Sequence, residues 1–102
     1  MTQKPLQKDR IAIIGLGKVG TAVGYLLNKA GYEIAAVYDQ SEEALRSHTA
    51  YTGGIICSDP PQAAALADCI LITTGDDMIA GACSLIAGSD ALRPGCKVLH
   101  MS

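Results

Sequence analysis

Residues 11–39 of this chain read IAIIGLGKVGTAVGYLLNKAGYEIAAVYD, and this stretch decides the fold. A short apolar run, Ile11 to Ile14, leads directly into the spacing Gly-x-Gly-x-x-Gly, from Gly15 to Gly20. Apolar residues then recur at helical spacing, and a second apolar run ends at Asp39. Short apolar runs bounded by glycine or a polar residue are typical of buried parallel strands. The stretch therefore predicts a strand, a helix over residues 19–30 and a second strand.

Each glycine of the loop has a physical role in such a turn. A strand that turns abruptly into a helix needs a residue without Cβ at Gly15, and a pyrophosphate lying on the main chain needs another at Gly17. Gly20 lets the helix pack close to the strand, and Gly24 extends this close approach. The N–H groups and the dipole at the helix start attract an anion, and Lys18 either contacts phosphate or stays solvated. The glycine loop is therefore predicted to bind the phosphates of a dinucleotide.

Asp39 indicates which dinucleotide is bound. It follows Gly20 by 19 residues, close to the offset of about 20 at which a carboxylate accepts hydrogen bonds from the adenosine ribose. A carboxylate there repels the 2′-phosphate of NADP, and Glu42 and Glu43 add to the repulsion. NAD(H) is therefore favoured over NADP(H), although Arg46 could turn toward a phosphate. The alternatives are a solvated acid at a strand end, or the glycine-rich turn of a flavin-binding or methyltransferase domain.

The rest of the chain continues the alternation of strands and helices. Ser41, Asp59 and Asp77 are expected to cap three further helices, over residues 42–50, 60–67 and 78–87, and Gly53 and Gly54 break the first of these. Strands are predicted over residues 34–38, 55–57, 69–73 and 97–100, and a turn over 93–95. This order predicts a three-layer, doubly wound α/β fold with a parallel sheet of about five strands in the order 3-2-1-4-5. Ligands of such sheets bind beyond the carboxyl ends of the strands, where the order reverses.

Composition excludes several classes of function. The 102 residues carry a net charge of −2 with scattered Lys and Arg, so no nucleic-acid partner is expected. No apolar run approaches the ~18 residues that cross a bilayer. The charged N-terminus leads into no cleavage site, so we expect a cytoplasmic domain without a membrane partner. The four cysteines, Cys57, Cys69, Cys83 and Cys96, lie in apolar stretches without metal-ligand spacing, so we expect buried thiols and no metal site.

Further candidates lie at the same predicted edge of the sheet. The main chain of Thr74 and Gly75, after the fourth strand, is expected to line the cofactor. His100 and Ser102 follow or end the fifth strand, where a nicotinamide ring and its substrate would lie, so each is a candidate general acid or hydrogen-bond donor. A lone histidine near a chain end is more often incidental than catalytic. His48, in a polar helix, is a weaker catalytic candidate than His100. The sequence therefore leaves the catalytic residues undetermined.

Three stretches carry a resemblance to a known family. These are IAIIGLGKVGTAVGYLLNKAGYEI (11–34), ADCILITTGDDMIA (67–80) and VLHMS (98–102). They resemble the N-terminal Rossmann-like domain of the phosphogluconate-dehydrogenase-like superfamily. Within it, the chain is most similar to NAD(P)-binding oxidoreductases in which a helical domain of unknown function follows the Rossmann-like domain. The resemblance covers essentially the whole chain, and DDMIA and VLHMS are its more specific parts.

The resemblance also implies roles for individual residues. Cofactor contacts are implied for the loop residues Leu16, Gly17, Lys18 and Val19. Asp39 would lie at the ribose, Thr74 beside the cofactor, and His100 and Ser102 near the nicotinamide. Relatives often carry a polar or basic residue at the position of Asp39, which leaves NADP as a second possible cofactor. They also continue beyond the position of Ser102 into a domain that supplies substrate contacts and usually dimerises.

We therefore expect residues 1–102 to form the NAD(P)-binding domain of an oxidoreductase that transfers hydride, with the C-terminal substrate and dimerisation domain absent. Such a chain would bind the cofactor without turnover, its small-molecule substrate would be held by the absent domain, and a homodimer is possible. One rival is a regulatory nucleotide-sensing module of the kind attached to potassium transport systems. It shares GLGKVG and a TTGDD-like turn but fits VLHMS poorly. The other rival is a degenerate domain kept for association through an uncovered fifth strand.

Overall fold

A computed structural model describes residues 10–74 and 97–100 of the chain. The elements, in chain order, are β1 Arg10–Ile14, α1 Lys18–Lys29, β2 Glu33–Tyr38, α2 Glu42–Thr52, β3 Ile55–Ile56, α3 Pro60–Ala64, β4 Cys69–Ile72 and β5 Lys97–His100. All five strands are parallel, and they form one sheet in the order β3-β2-β1-β4-β5. The predicted α/β fold and strand order are thus confirmed. The helix predicted over 78–87, its cap Asp77 and the turn over 93–95 lie outside the described residues.

The two faces of the sheet carry separate apolar clusters, because successive strand residues point to opposite faces. Ile11 and Ile13 of β1 belong to the cluster that includes Leu45 of α2, with Val23 and Leu27 of α1 packed against it. The other cluster joins alternate residues of β1 and β4 to α3; its members are Ala12, Ile14, Ala36, Cys57, Ala63, Ala64, Ala67, Ile70 and Ile72. Helices therefore cover both faces, as the doubly wound prediction requires. None of the helices in the described ranges is long and apolar enough to span a membrane.

Strand β2 contains one residue more than the partner segment of β1. One residue of β1 pairs with Ile34 and the next pairs with Ala36, so Ala35 forms a bulge. An extra residue reverses the alternation of faces beyond it. Ile34 and Val37, three positions apart, accordingly pack in the same cluster. The bulge therefore sets the faces presented by the end of β2.

Helix ends agree with the predicted signals to within a few residues. Ser41 caps α2 by accepting a hydrogen bond from the N–H of Ala44, and Gly53 terminates it at φ 76°. The helix reaches Thr52, two residues beyond the prediction, because the break comes only at that glycine. Helix α3 is shorter than predicted: after Ala64 the chain tightens into hydrogen bonds three residues apart, at Leu66 and Ala67. This turn brings the chain directly into β4.

The apolar spacing that predicted α1 does not mark only core positions. Val23 and Leu27 are half-buried against the sheet. Val19 and Leu26 are 53% and 63% exposed. The narrow buried stripe of the helix is completed by glycines rather than by large side chains, which allows the helix axis to approach β1.

Candidate functional site

The turn between β1 and α1 is fastened to both neighbouring strands. Gly15 has φ +109°, a conformation that side chains with a Cβ rarely adopt. Its N–H donates to the carbonyl oxygen of Tyr38 at 2.7 Å, and its own carbonyl oxygen accepts from Oγ1 of Thr73 at 2.6 Å. The glycine loop is thus held between the ends of β2 and β4, at the point where the strand order reverses.

Two glycines of the loop differ in what surrounds them. A Cβ added at Gly20 would overlap the carbonyl oxygen of Gly15, so that glycine is required by packing. A Cβ added at Gly17 would meet nothing within 4 Å. Gly17 is exposed and has φ −76°, so neither packing nor backbone strain requires glycine there. The open space beside Gly17 is what a ligand lying on the main chain would need.

The start of α1 offers hydrogen-bond donors to that space. Gly17 is the N-cap and provides no side-chain cap, and the first turn contains no acidic residue. Within the described ranges, Thr21 is the first residue of the helix whose N–H group donates a hydrogen bond to a main-chain carbonyl, that of Gly17. The four N–H groups before it, those of residues 17–20, have no acceptor among the described residues. Lys18 is exposed beside them. Unpaired N–H groups, the helix dipole and a nearby ammonium group are the features that attract an anion.

Asp39 is held at the end of β2, next to the loop. Its Oδ2 accepts a hydrogen bond from the N–H of Leu16 at 2.6 Å, and its Oδ1 accepts one from the N–H of Ser41 at 2.8 Å. Each carboxylate oxygen can accept more than one hydrogen bond, so capacity for ribose hydroxyls remains. The side chain is half-buried and its orientation is fixed from both sides.

A cavity of about 440 Å³ opens beside Asp39, beyond the carboxyl ends of β2 and β3. Its lining residues are Tyr38, Asp39, Gln40, Glu42, Leu45, Arg46, Ile56, Cys57 and Ser58. Three of these carry charge, two negative and one positive, and the remainder provide apolar and neutral polar surface. Burial, and secondarily the negative charge of Asp59, raise the pKa of the Cys57 thiol, so this lining group stays neutral. The cavity has the size and the mixed lining that an adenosine moiety would require.

Leu16 belongs to the loop but differs from its neighbours. Its side chain is fully buried in the cluster on the α1 and α2 face. Its N–H is bound to Asp39, and its carbonyl oxygen is contacted by Oγ1 of Thr21 at 3.2 Å and by Nδ1 of His48 at 2.6 Å. Leu16 therefore anchors the loop. The contact from His48 was missed in the sequence, where a histidine in a polar helix gave no sign of it.

The remaining candidates lie around the ends of β4 and β5. Thr74 follows β4, and its buried Oγ1 has no hydrogen-bond partner in the part of the chain that is described. His100 is the last residue of β5 and pairs with Ile72 of β4, which places it at the same edge of the sheet. Gly75, Ser102 and the side chain of His100 lie outside the described residues. Their predicted roles stay predictions, as do the cofactor contacts of the glycine loop and of Asp39.

This loop and sheet define a Rossmann-like domain, and the chain belongs to the Rossmann-like domain family, whose model matches residues 2–102. The resemblance found in the sequence is confirmed at that level. No curated protein matches the sequence.

Solved structures with the same fold include three oxidoreductases by name. A candidate NADP oxidoreductase from Bacteroides fragilis is 21% identical with a TM-score of 0.81. The 3-hydroxyisobutyrate dehydrogenase of Mycobacterium tuberculosis, with L-serine, is 22% identical with a TM-score of 0.79. An imine reductase variant from Myxococcus stipitatus, in complex with NAD⁺, is 18% identical with a TM-score of 0.71.

The same alignments show how much of each protein is shared. They cover 93%, 92% and 94% of this chain, but only 36%, 31% and 32% of those three chains. The chain thus spans about a third of the length of these structures. At such identities, the likeness establishes the fold.

Proposed function

We propose that this chain is the dinucleotide-binding domain of an NAD(P)-dependent oxidoreductase and that it prefers NAD(H) to NADP(H). Two observations carry the proposal: the N–H groups of residues 17–20 have no acceptor within the described residues, and the space beside Gly17, at the start of the same helix, is open. Asp39 and the cavity beyond β2 lie on one side of that space, and Thr74 lies on the other, at the end of β4. The names of the structural neighbours, a dehydrogenase and a reductase with NAD⁺ among them, support the same class of cofactor.

The preference for NAD(H) follows from the charges around the cavity. Asp39 is fixed by two main-chain N–H groups, so it cannot swing away from a 2′-phosphate on the ribose that it would contact. Glu42 lines the same cavity and adds a second negative charge. Arg46 is the cationic residue of the lining, so it offsets part of the repulsion. We therefore propose weaker binding of NADP(H) rather than none.

The proposal also assigns cofactor binding to this chain and substrate binding to another part of the enzyme. A bound nicotinamide supplies the hydride chemistry. The residues of this chain bind the pyrophosphate and ribose and orient the cofactor along the edge of the sheet. A small-molecule substrate would be held by a further domain, and His100 and Ser102 are the residues of this chain proposed to lie nearest to it.

Titration of the 102-residue chain with NADH, followed by fluorescence, tests the proposal. We expect saturable binding that is about tenfold tighter than that of NADPH, a difference of about 1.4 kcal/mol. Asp39→Ser should narrow this ratio by removing the fixed charge. Glu43, which the sequence suggested would add to the repulsion, does not line the cavity, whereas Glu42 in the same first turn of α2 does. Glu43→Gln is therefore the matched control, because it removes a carboxylate of that turn from outside the cavity. Its ratio should stay that of the unsubstituted chain.

Three results would contradict the proposal in different ways. Tighter binding of NADPH than of NADH would overturn the role given to Asp39. Tighter binding of ATP or ADP than of either dinucleotide would favour the regulatory nucleotide-sensing module. Absence of binding by every nucleotide would favour a domain that is kept for association.

A further inference from the structure

His48 of α2 reaches across the structure to the glycine loop, 32 residues away in sequence. Its Nδ1 lies 2.6 Å from the carbonyl oxygen of Leu16. A carbonyl oxygen only accepts hydrogen bonds, so Nδ1 must carry a proton and donate it. Both the neutral Nδ1–H tautomer and the imidazolium satisfy this requirement. The ring is therefore a hydrogen-bond donor to the loop.

The peptide group that His48 holds also contains the first free donor of the anion site. The Leu16 carbonyl and the N–H of Gly17 belong to one planar peptide unit, and in a trans peptide they point in opposite directions. Fixing the carbonyl toward α2 therefore directs the N–H of Gly17 away from α2. Because Gly17 has no side chain to restrict it, this peptide plane depends on such contacts for its orientation.

We propose that His48 is a positioning residue for the phosphates of the dinucleotide, because it orients the peptide group between Leu16 and Gly17. This inference rests on the proposed function for the identity of the ligand. Thr21 also donates to the Leu16 carbonyl, but at the longer distance of 3.2 Å. Asp39 holds the other end of the same residue through its N–H. His48 completes a set of contacts that fixes Leu16 from α1, from α2 and from Asp39, the residue that follows β2.

The surroundings of the ring permit a clean test by substitution. His48 is half-buried and lines an open groove of about 490 Å³ between α1 and α2, together with Tyr25 and Tyr51. A leucine would therefore fit in place of the imidazole, but it cannot donate. Asparagine places an amide nitrogen near the position of Nδ1 and can donate. Leucine is also the better helix former, so an effect on helix stability alone would favour His48→Leu over His48→Asn.

The binding test uses the 102-residue chain and NADH. We expect His48→Leu to weaken NADH binding about tenfold, a difference of about 1.4 kcal/mol, and His48→Asn to restore most of the affinity. Ser47→Ala, at the adjacent exposed position of α2, is the matched control and should bind as the unsubstituted chain does. Unchanged affinity in His48→Leu, or weaker binding by His48→Asn than by His48→Leu, would overturn the proposal.

Nuclear magnetic resonance of the free chain provides a readout that does not need the dinucleotide. In ¹⁵N-labelled protein, the ring nitrogens of His48 should show a proton on Nδ1, and the amide signal of Gly17 should shift in His48→Leu. A ring protonated only on Nε2 would overturn the proposal. If the unsubstituted chain bound no dinucleotide, the proposed function would fail. The role of His48 would still be decided by these signals and by titration of the Gly17 amide with inorganic pyrophosphate.

Discussion

The carboxylate of Asp39 closes the glycine loop as well as facing the cavity, because its Oδ2 lies 2.6 Å from the main-chain nitrogen of Leu16. A second main-chain N–H, from Ser41, binds Oδ1. The side chain that is proposed to select the cofactor is thus also part of the framework that shapes the phosphate site. Changes made at this position to alter specificity will therefore alter the loop as well.

Replacement of Asp39 by asparagine tests the hydrogen bonds that this side chain accepts without changing its size. Asparagine keeps the size of the side chain but turns one acceptor oxygen into an NH₂ donor, which then faces a main-chain N–H of Leu16 or Ser41. We expect Asp39→Asn to lower the free energy of unfolding by about 1–3 kcal/mol and to weaken NADH binding. Urea unfolding and NADH titration measure the two effects. Stability equal to that of the control Glu43→Gln would show that these hydrogen bonds contribute little.

Alanine at two loop glycines should give opposite results. Gly20→Ala forces a methyl group into the carbonyl oxygen of Gly15, so we expect a loss of about 1–3 kcal/mol in stability. Gly17→Ala meets open space at an allowed φ, and as a change at an N-cap it should cost less than about 1 kcal/mol. Gly17→Ala should nevertheless weaken NADH binding, because its methyl group enters the space of the pyrophosphate. Thermal unfolding measures the stability of both variants, and titration measures their affinity for NADH. If Gly17→Ala bound NADH as tightly as the unsubstituted chain, the phosphates would have to lie elsewhere.

Gly24 is the point where α1 meets both β1 and α2. A Cβ there would lie 2.6 Å from Cδ1 of Ile13 and 2.6 Å from Cγ2 of Thr52. We expect Gly24→Ala to lower stability by about 1–3 kcal/mol, partly offset by the higher helix propensity of alanine.

Thr52→Ser removes the methyl group in conflict with that Cβ and retains the hydroxyl. The loss of stability in the double variant Gly24→Ala with Thr52→Ser should therefore be smaller than the sum of the losses in the two single variants, by about 0.5 kcal/mol or more. Thr49→Ser on the same helix is the control partner, and its effect should add independently. Simple additivity in both pairs would show that the contact with Thr52 is not the source of the strain.

Cys57 should make the stability of the domain depend on alkaline pH. Its pKa in the fold is raised by burial and by the charge of Asp59, whereas an unfolded cysteine ionises at about 8.5. The unfolded chain therefore loses the thiol proton first. The stabilising contribution is complete below the unfolded pKa and is lost as the pH rises through the folded pKa. Urea unfolding between neutral pH and pH ~10 should show a smaller decrease for Cys57→Ala than for the unsubstituted chain. An identical decrease would rule out this contribution.

The sequence predicts most of the fold because its signals are local. The apolar run before Gly15, the cap at Ser41 and the break at Gly53 are each read within a few residues, and the structure places β1, α1, β2 and α2 accordingly. The contact between His48 and Leu16 has no local signal, because it depends on how α2 lies against the loop. The same holds for the bond from Asp39 to the Leu16 nitrogen, since the spacing predicts a ligand contact and not a main-chain one.

The bulge at Ala35 explains why the acidic residue stands where it does. Counting from Gly20, Asp39 comes after 19 residues, and one of them is used by the bulge without advancing the pairing of β2 with β1. Deleting Ala35 would remove this extra residue and restore regular pairing. The residues from Ala36 onward would keep their partners in β1, so Asp39 would keep its place at the end of β2. The number of residues between the glycine loop and the acidic residue therefore depends on whether β2 contains the bulge. A chain of this fold without the bulge should carry its acidic residue one position earlier.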